Sequence, residues 1–266
     1  MRAKDKQVTA AEIKMIVLDL DGTVLHSDKT ISPYTIEILE RCKRAGIKIA
    51  IATARSEMEA RRYIEAIAPD VVISGGGSLV CYEGRAIYTC MLSAEISDAI
   101  IAECMAREEG LSITVAASDG YYVKWAGELP AEYGHAISCD FAKPLSQETY
   151  KIVVESSDEA IVKQIVDKYH QCSVIRFSDG EWYRIANKES EKMNAVKATA
   201  EYFDIDVSRV ASFGDDFSDL EMIKSCGYGV SMGNAIDAVK AVGKHVCDTN
   251  DNDGVAKWIA AHLLAD

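Results

Sequence analysis

Apolar runs and amphipathic stretches alternate along roughly the first 80 residues, and the alternation predicts strand–helix–strand. Met15–Leu20 is apolar except at Asp19, the pattern of a buried strand. A turn-rich segment, Asp21–Ser32, follows. Ser32-Pro33 reads as an N-cap with proline at the first helical position, opening a helix over Thr35–Ala45 that stops at Gly46. Ile47–Ala52 reads as a second strand and Ser56–Ile67 as a second helix, ended near Pro69. Val71–Ile73 is a third strand that runs into Gly75-Gly76-Gly77. Short links between such elements imply a parallel sheet.

Between about Glu83 and Ala186 the pattern changes. Helical stretches Ser93–Glu109 and Ser157–Tyr169 alternate with strand-like pieces Ser112–Ala116, Tyr121–Lys124, Lys151–Glu155, Ser173–Phe177 and Trp182–Ile185. Asp119-Gly120 and Asp179-Gly180 read as hairpin turns. After Lys188 the first pattern resumes, with helices over Glu191–Phe203, Leu220–Ser225, Ala235–Val242 and Gly254–Leu264. Short strands fall at Val210–Phe213, Gly227–Val230 and Lys244–Cys247. The expected fold is α/β: a doubly wound, Rossmann-like parallel-sheet core in two parts, 1–82 and 188–266, with an inserted α+β cap domain over 83–187. An insert of about 100 residues far exceeds an ordinary connection, which marks it as functional, and a cleft between two domains is a common small-molecule site.

Composition narrows the classes of partner. The formal net charge is −13, against the basic footprint that nucleic acid or an anionic membrane surface requires. No apolar run reaches the length of a membrane span, and Met1–Thr9 is charged, without the apolar stretch of a signal peptide, so a cytoplasmic location is expected. The eight cysteines stand at 42, 81, 90, 104, 139, 172, 226 and 247 with no Cys-x-x-Cys spacing, and read as reduced structural thiols. Five dispersed histidines argue against a histidine-built metal site. A small anionic substrate stays compatible, because local cations and a metal ion can reverse the field inside one crevice.

The candidate chemistry stands at the ends of the core strands. Asp19-Leu20-Asp21-Gly22-Thr23 closes the first strand with two carboxylates one residue apart, which a strictly extended chain would direct to one side. One carboxylate can attack while the other handles protons. Asp-Gly is also a common turn signal, so the run alone leaves an ordinary turn open. Thr53-Ala54-Arg55 follows the second strand, Lys192 opens the helix that resumes the core, and Gly214-Asp215-Asp216-Phe217-Ser218-Asp219 follows Val210–Phe213. Taken singly, Thr53 reads as an N-cap, Lys192 as a solvated helix lysine, Arg55 as a surface ion-pair partner and Gly214-Asp215-Asp216 as a turn. Their joint occurrence at strand ends favours a site. Asp19, Asp21, Asp215 and Asp219 would crowd one crevice, and two carboxylates about 4 Å apart repel by about 4 kcal/mol at an effective dielectric near 20. Such a cluster calls for a cation, and oxygen-only ligands point to Mg²⁺. Thr53 and Lys192 are suited to hold phosphate oxygens.

These residues resemble the motifs of the haloacid dehalogenase-like (HAD) hydrolase superfamily. Asp19-Leu20-Asp21-Gly22-Thr23 is similar to its first motif, Thr53 stands for the second, Lys192 for the third, and Gly214-Asp215-x-x-x-Asp219 for the fourth. The position of the insert, with Met232-Gly233-Asn234-Ala235 and Asn250-Asp251-Asn252-Asp253-Gly254-Val255, resembles the Cof-type branch with a type IIB cap. Four departures stand out: Ser218 where the fourth motif usually has Asn, Gly76-Gly77 where Asn-Gly is familiar, Met193 after Lys192, and Ala54 in the second motif.

The resemblance implies a Mg²⁺-dependent phosphatase acting on a small phosphomonoester, a sugar phosphate or related metabolite, through an aspartyl-phosphate. In that reading Asp19 is the nucleophile and Asp21 the acid/base. Asp19, the Asp21 carbonyl and Asp215 bind the metal, and Thr53 and Lys192 bind phosphate. Ala54, Arg55, Ser218, Asp219 and Asn234 serve substrate contact or orientation. Two rival readings are a sugar phosphomutase of the same architecture and a non-catalytic phosphometabolite-binding protein. Oligomeric state is not legible.

Overall fold

A computed structural model describes residues 13–107, 110–177 and 180–264. The first strand, β1 (Met15–Leu18), is buried throughout, as an unbroken apolar run should be. It is followed by α1 (Pro33–Arg44), β2 (Lys48–Ala52), α2 (Glu57–Ile67) and β3 (Val71–Ser74). Ser32 caps α1 by accepting from the Thr35 N–H, with Pro33 at the first helical position. Ser56 and Glu59 form a capping box on α2, each side chain serving the other's backbone.

The chain then makes a hairpin, β4 (Leu79–Tyr82) and β5 (Arg85–Thr89), before α3 (Ala94–Arg107). The next elements are β6 (Ile113–Ala117), β7 (Gly120–Lys124), β8 (Ile137–Ser138) and β9 (Thr149–Glu155). The insert is completed by α4 (Glu159–Val166), β10 (Cys172–Arg176) and β11 (Trp182–Asn187). The return comprises α5 (Lys192–Tyr202), β12 (Val210–Gly214), α6 (Leu220–Ser225), β13 (Tyr228–Ser231), α7 (Asp237–Val242), β14 (His245–Val246) and α8 (Gly254–His262).

The strands form two sheets. The larger runs β14-β13-β12-β1-β2-β3-β4-β5, parallel from β14 to β3, with the antiparallel β4–β5 hairpin as its edge. Helix α1 packs against α2 and α8, while α6 packs against α5 and α7, which gives the doubly wound, Rossmann-like core. β1 lies between β2 and β12, so the ends of three adjacent strands converge on one edge of the sheet. The smaller sheet runs β10-β11-β9-β6-β7-β8 and is antiparallel except between β7 and β8.

The expected start of the insert, between residues 82 and 83, falls at the turn of the β4–β5 hairpin, whose two strands both pair into the larger sheet. The two chain crossings between the sheets are tied together where Asn187 Nδ2 donates to the Met91 carbonyl at 3.1 Å. Asp119-Gly120 lies at the β6–β7 hairpin as expected. Asp179 of the second expected turn, Glu108 and Glu109 at the end of the third helix, and the N-terminal segment read for a signal peptide lie outside the described residues.

The smaller sheet has two unlike faces. Ile113, Val115, Ile152, Val154, Tyr183 and Ile185 join α3 and α4 in an apolar core. Directly opposed residues share a face, so register puts Tyr121, Ala116 and Lys151 in one row of the other face, and Val123, Thr114, Val153 and Arg184 in the next. That second face is buried as well, although it carries two cations and two hydroxyls. It lies against the core domain at the strand ends, through contacts that belong to the site.

Candidate active site

The first strand ends at Leu18, and Asp19 to Asp21 turn rather than continue extended. The Leu20 carbonyl accepts from the Thr23 and Leu25 N–H groups, and Leu20 is fully buried. The two carboxylates therefore take different partners instead of sharing one environment. Asp19 is buried and accepts from Lys192 Nζ at 2.6 Å. Asp21 is held by Arg55, with Nε and Nη2 at 2.7 and 2.8 Å, and by Lys29 Nζ at 2.8 Å.

Lys192 opens α5 and is buried between Asp19 and Asp219, whose Oδ1 lies 2.7 Å from the ammonium. The other Asp219 oxygen accepts from the backbone N–H groups of Asp215 and Asp216, at 3.0 and 3.1 Å. Asp219 thus closes the turn after β12 on itself. Thr23 donates to Asp215 Oδ1 at 2.9 Å. Gly22 approaches that same carboxylate so closely, at φ +73°, that a Cβ would stand 2.3 Å from Asp215 Oδ2; only glycine meets both demands.

Asp19, Asp215 and Asp219 bring ligand oxygens within 4.8 Å of one another. Three carboxylates face one ammonium, which leaves a surplus of negative charge. Burial, with Asp219 and Asp215 adding repulsion, pushes the Asp19 carboxyl well up against the pull of Lys192. Burial and Asp219 push Asp215 up to about 6. Burial would lower Lys192, but Asp19 and Asp219 outweigh it and keep the ammonium charged. The donors are all oxygen and the charge is unbalanced, which fits a hard divalent cation. Asp21 is the opposite case. Burial alone would raise it, but Arg55 and Lys29 bring its carboxyl down to about 2.

Thr53 is buried just past β2; its hydroxyl oxygen accepts from the Arg55 N–H at 3.1 Å, and its carbonyl accepts from the Gly76 N–H at 2.9 Å. The Ala54 carbonyl accepts from Lys151 Nζ of the smaller sheet at 3.1 Å. Asn234 bridges two loops, donating to the Gly22 carbonyl at 2.7 Å and accepting from the Asn250 N–H at 2.9 Å. Ser218 is exposed on the 3-10 turn Phe217–Asp219. The Asn250–Val255 segment stays behind the site and ties down the chain after Asp21. There Asn250 donates to the Leu25 carbonyl, and Asp253 accepts from His26, Ser32 and Thr35.

The reading of the sequence assigned no site role to Thr23, Lys29, Glu59, Tyr121, Lys151 or Arg184. Glu59 is the junction of core and insert. Its carboxylate accepts from the Ser56 N–H at 2.6 Å, from Lys151 at 2.8 Å and from the Tyr121 hydroxyl at 3.2 Å. Its place three residues after Ser56 announces the helix start, but nothing local announces Lys151. Burial would raise Glu59, yet Lys151 and Ser56 bring it down to about 2. Glu59→Gln leaves the buried Lys151 ammonium without a counter-charge and is expected to destabilise the protein by about 3 kcal/mol. In a thermal melt that is roughly 6–12 °C. Because the folded-state value is depressed, this contribution is full above the ordinary Glu value of 4.5 and is lost as pH falls towards about 2, so parent and variant should converge in acid. Equal melting at pH 7 would show that the pair is too solvated to matter.

Comparison with known proteins gives a consistent picture. The profile of the haloacid dehalogenase-like hydrolase family matches residues 16–259. The chain is 27% identical to a pyridoxal phosphate phosphatase of Escherichia coli, YbhA, covering 94% of this chain and 99% of that one. It is 26% identical to a 5-amino-6-(5-phospho-D-ribitylamino)uracil phosphatase of Bacillus subtilis, YitU, covering 94% and 97%. Among solved structures, a haloacid dehalogenase-like hydrolase of Bacteroides thetaiotaomicron superposes with a TM-score of 0.81 at 24% identity, over 93% of this chain and 98% of that one. A HAD subclass IIB sugar phosphatase superposes at 0.80 and 23% identity, over 92% and 97%.

Proposed function

This chain belongs to the haloacid dehalogenase-like hydrolases, in the Cof-type branch, and from that premise we propose a Mg²⁺-dependent phosphatase that cleaves a small phosphomonoester through an aspartyl-phosphate. The observation that carries the reading is the pairing of the buried Asp19 carboxylate with Lys192, beside Asp215 and Asp219. The division into a core and a cap belongs to the same proposal, with the β4–β5 hairpin counted in the core rather than in the expected cap of 83–187, as does a cytoplasmic location. Among the described residues no helix is long and apolar enough to cross a membrane.

The Asp19 oxygen not engaged by Lys192 attacks phosphorus in line. The new Asp19 O–P bond forms as the ester P–O bond breaks, and Asp21 gives its proton to the leaving alkoxide. Water then attacks the same phosphorus, Asp21 takes its proton, and the Asp19 O–P bond breaks to release inorganic phosphate. Asp21 is ionised while Arg55 and Lys29 hold it, the state required of the base. Acting as the acid requires release from that clamp, and the anionic ester supplies it by competing for Arg55. The Thr53 hydroxyl, which accepts from the Arg55 N–H, keeps its own hydrogen to donate to a phosphate oxygen. Lys192 balances the charge of Asp19 and of the transferring group.

Asp19, the Asp21 carbonyl and Asp215 would hold Mg²⁺, with Asp219 orienting Asp215 through its backbone N–H. When bound, the ion offsets the surplus negative charge and holds phosphate for in-line displacement. In the metal-free protein Asp215 stabilises the fold fully below its ordinary value of 3.8, and the contribution is lost as pH rises through about 6. Mg²⁺ must displace that proton, so MgCl₂ should raise the melting temperature more at pH 7.5 than at pH 5.5. An equal rise at both values would move the ion away from this cluster.

The test is phosphate release across sugar phosphates, nucleotides and cofactor phosphates, with and without Mg²⁺. Pyridoxal phosphate and 5-amino-6-(5-phospho-D-ribitylamino)uracil, named for the two relatives, belong on the panel. Mg²⁺-dependent release from at least one ester is expected. No release from any would overturn the reading. Transfer to a sugar hydroxyl without net release would make the protein a mutase.

A further inference from the structure

Among the described residues three cations are buried where the two sheets meet: Lys151, Lys192 and Arg184. Lys151 pairs with Glu59, and Lys192 with Asp19 and Asp219. Arg184, on β11, has no carboxylate within ion-pair distance among the described residues. Its Nη2 donates only to neutral groups: the Gly75 carbonyl at 2.6 Å, Ser190 Oγ at 2.6 Å, the Ser190 carbonyl at 3.3 Å and Ser78 Oγ at 3.5 Å. Its Nε is buried and has no hydrogen-bond partner. Burial pulls the guanidinium down to about 10, still charged at neutral pH. An unpaired buried charge is strongly destabilising, and an unsatisfied buried donor adds to the penalty. Cys90 and Glu191 attract the guanidinium less strongly than burial penalises it, and no carboxylate among the described residues takes the direct pairing position.

Its position says which anion. The guanidinium lies on the bare backbone of Gly76, where a Cβ would stand 2.9 Å from Cζ and Nη2. Gly76 donates its N–H to the Thr53 carbonyl, and a Cβ on Gly77 would meet the Glu191 carbonyl and the Lys192 nitrogen. Arg184 therefore stands between the Gly75–Ser78 turn, which Gly76 ties to Thr53, and Ser190, two residues before Lys192. It fills the place opened by glycine where the resemblance leads one to expect asparagine. It comes from β11, on the sheet face turned to the core.

We propose that Arg184 is a substrate-reading residue, which binds a second anionic group, a carboxylate or another phosphate, on the alcohol portion of the phosphomonoester. The inference rests on the phosphatase reading for the identity of the ester. The substrate class is then a phosphate ester of an acidic alcohol rather than of a neutral one.

Binding in the Asp19→Asn protein tests this separately from turnover. Two matched pairs distinguish the sources of charge: 3-phosphoglycerate against glycerol 3-phosphate for a carboxylate, and fructose 1,6-bisphosphate against fructose 6-phosphate for a second phosphate. Calorimetry with MgCl₂ should show the charged member of one pair binding about 100-fold tighter. Adding Arg184→Met should reduce that ratio to about 3-fold or less, and Arg184→Lys should retain part of it. Should Arg184→Met fail to fold, Gly76→Ala displaces the guanidinium from the other side and should lower the same ratio. Equal binding within both pairs, or an unchanged ratio in the variants, overturns the proposal. Absence of turnover in the parent protein would count against the phosphatase reading alone, since the binding ratio does not depend on it.

Discussion

Asp19→Asn is expected to slow phosphate release by at least roughly 10⁴-fold while leaving the protein as stable as the parent. The amide keeps the shape of the carboxylate, and its oxygen can still accept from Lys192, now 2.6 Å from Asp19 Oδ1. It cannot form the bond to phosphorus, so the loss falls on chemistry rather than on binding. Stability should hold because the substitution removes one of three carboxylates crowded round one ammonium. Phosphate release and a thermal melt measured on the same preparation check both halves. Turnover persisting in this variant would overturn Asp19 as nucleophile; a collapsed melt would show that the carboxylate is needed to hold Lys192.

Lys192→Met should act on stability and activity together. Without the ammonium, Asp19 and Asp219 stay buried beside Asp215 with no counter-charge. Breaking a buried pair from one side costs about 3–5 kcal/mol, or roughly 6–20 °C in melting temperature for a chain of this size. Mg²⁺ should recover part of that loss, because it restores positive charge to the same cluster. Release of phosphate should fall roughly 10²–10³-fold even with saturating Mg²⁺, as expected when one preorganised cation is lost. Full stability in EDTA would mean that the cluster does not depend on the Lys192 ammonium.

The elements legible in the sequence are those whose patterns are local. Continuous apolar runs identified β1 and β2, and Ser32-Pro33 marked the start of α1. The β4–β5 hairpin was missed for a physical reason. Its turn, Glu83-Gly84, places a glutamate at φ +48°, a conformation that Asn or Asp would have advertised and Glu does not. The candidate site was legible as far as strand ends could reveal it, through Asp19, Thr53, Lys192, Asp215 and Asp219. What stayed hidden lies across the two sheets. Lys151 and Arg184 look like ordinary polar positions on half-buried strands, and only the docking of the smaller sheet turns them inward. Asp21 was misjudged in one respect: the turn at Leu20 separates its surroundings from those of Asp19, and Arg55 rather than a neighbouring carboxylate sets its charge.

The central position of β1 bears on how the molecule is made. Its neighbour β12 pairs Met15 with Val210, 195 residues later, and between them lie the whole insert and Lys192. At about 5–20 residues per second, a ribosome finishes β12 roughly 10–40 s after β1 has been polymerised. During that interval one edge of a fully buried strand has no partner, while β2 can already occupy the other edge. The insert, with its own apolar core and six strands, can form in the meantime. The proposed nucleophile is therefore synthesised early and assembled late. A nascent or truncated chain carries Asp19 without Lys192, Asp215 or Asp219, and so without the environment that gives it reactivity. Slow, non-local closure of the larger sheet is the step at which folding should be most exposed to misassembly.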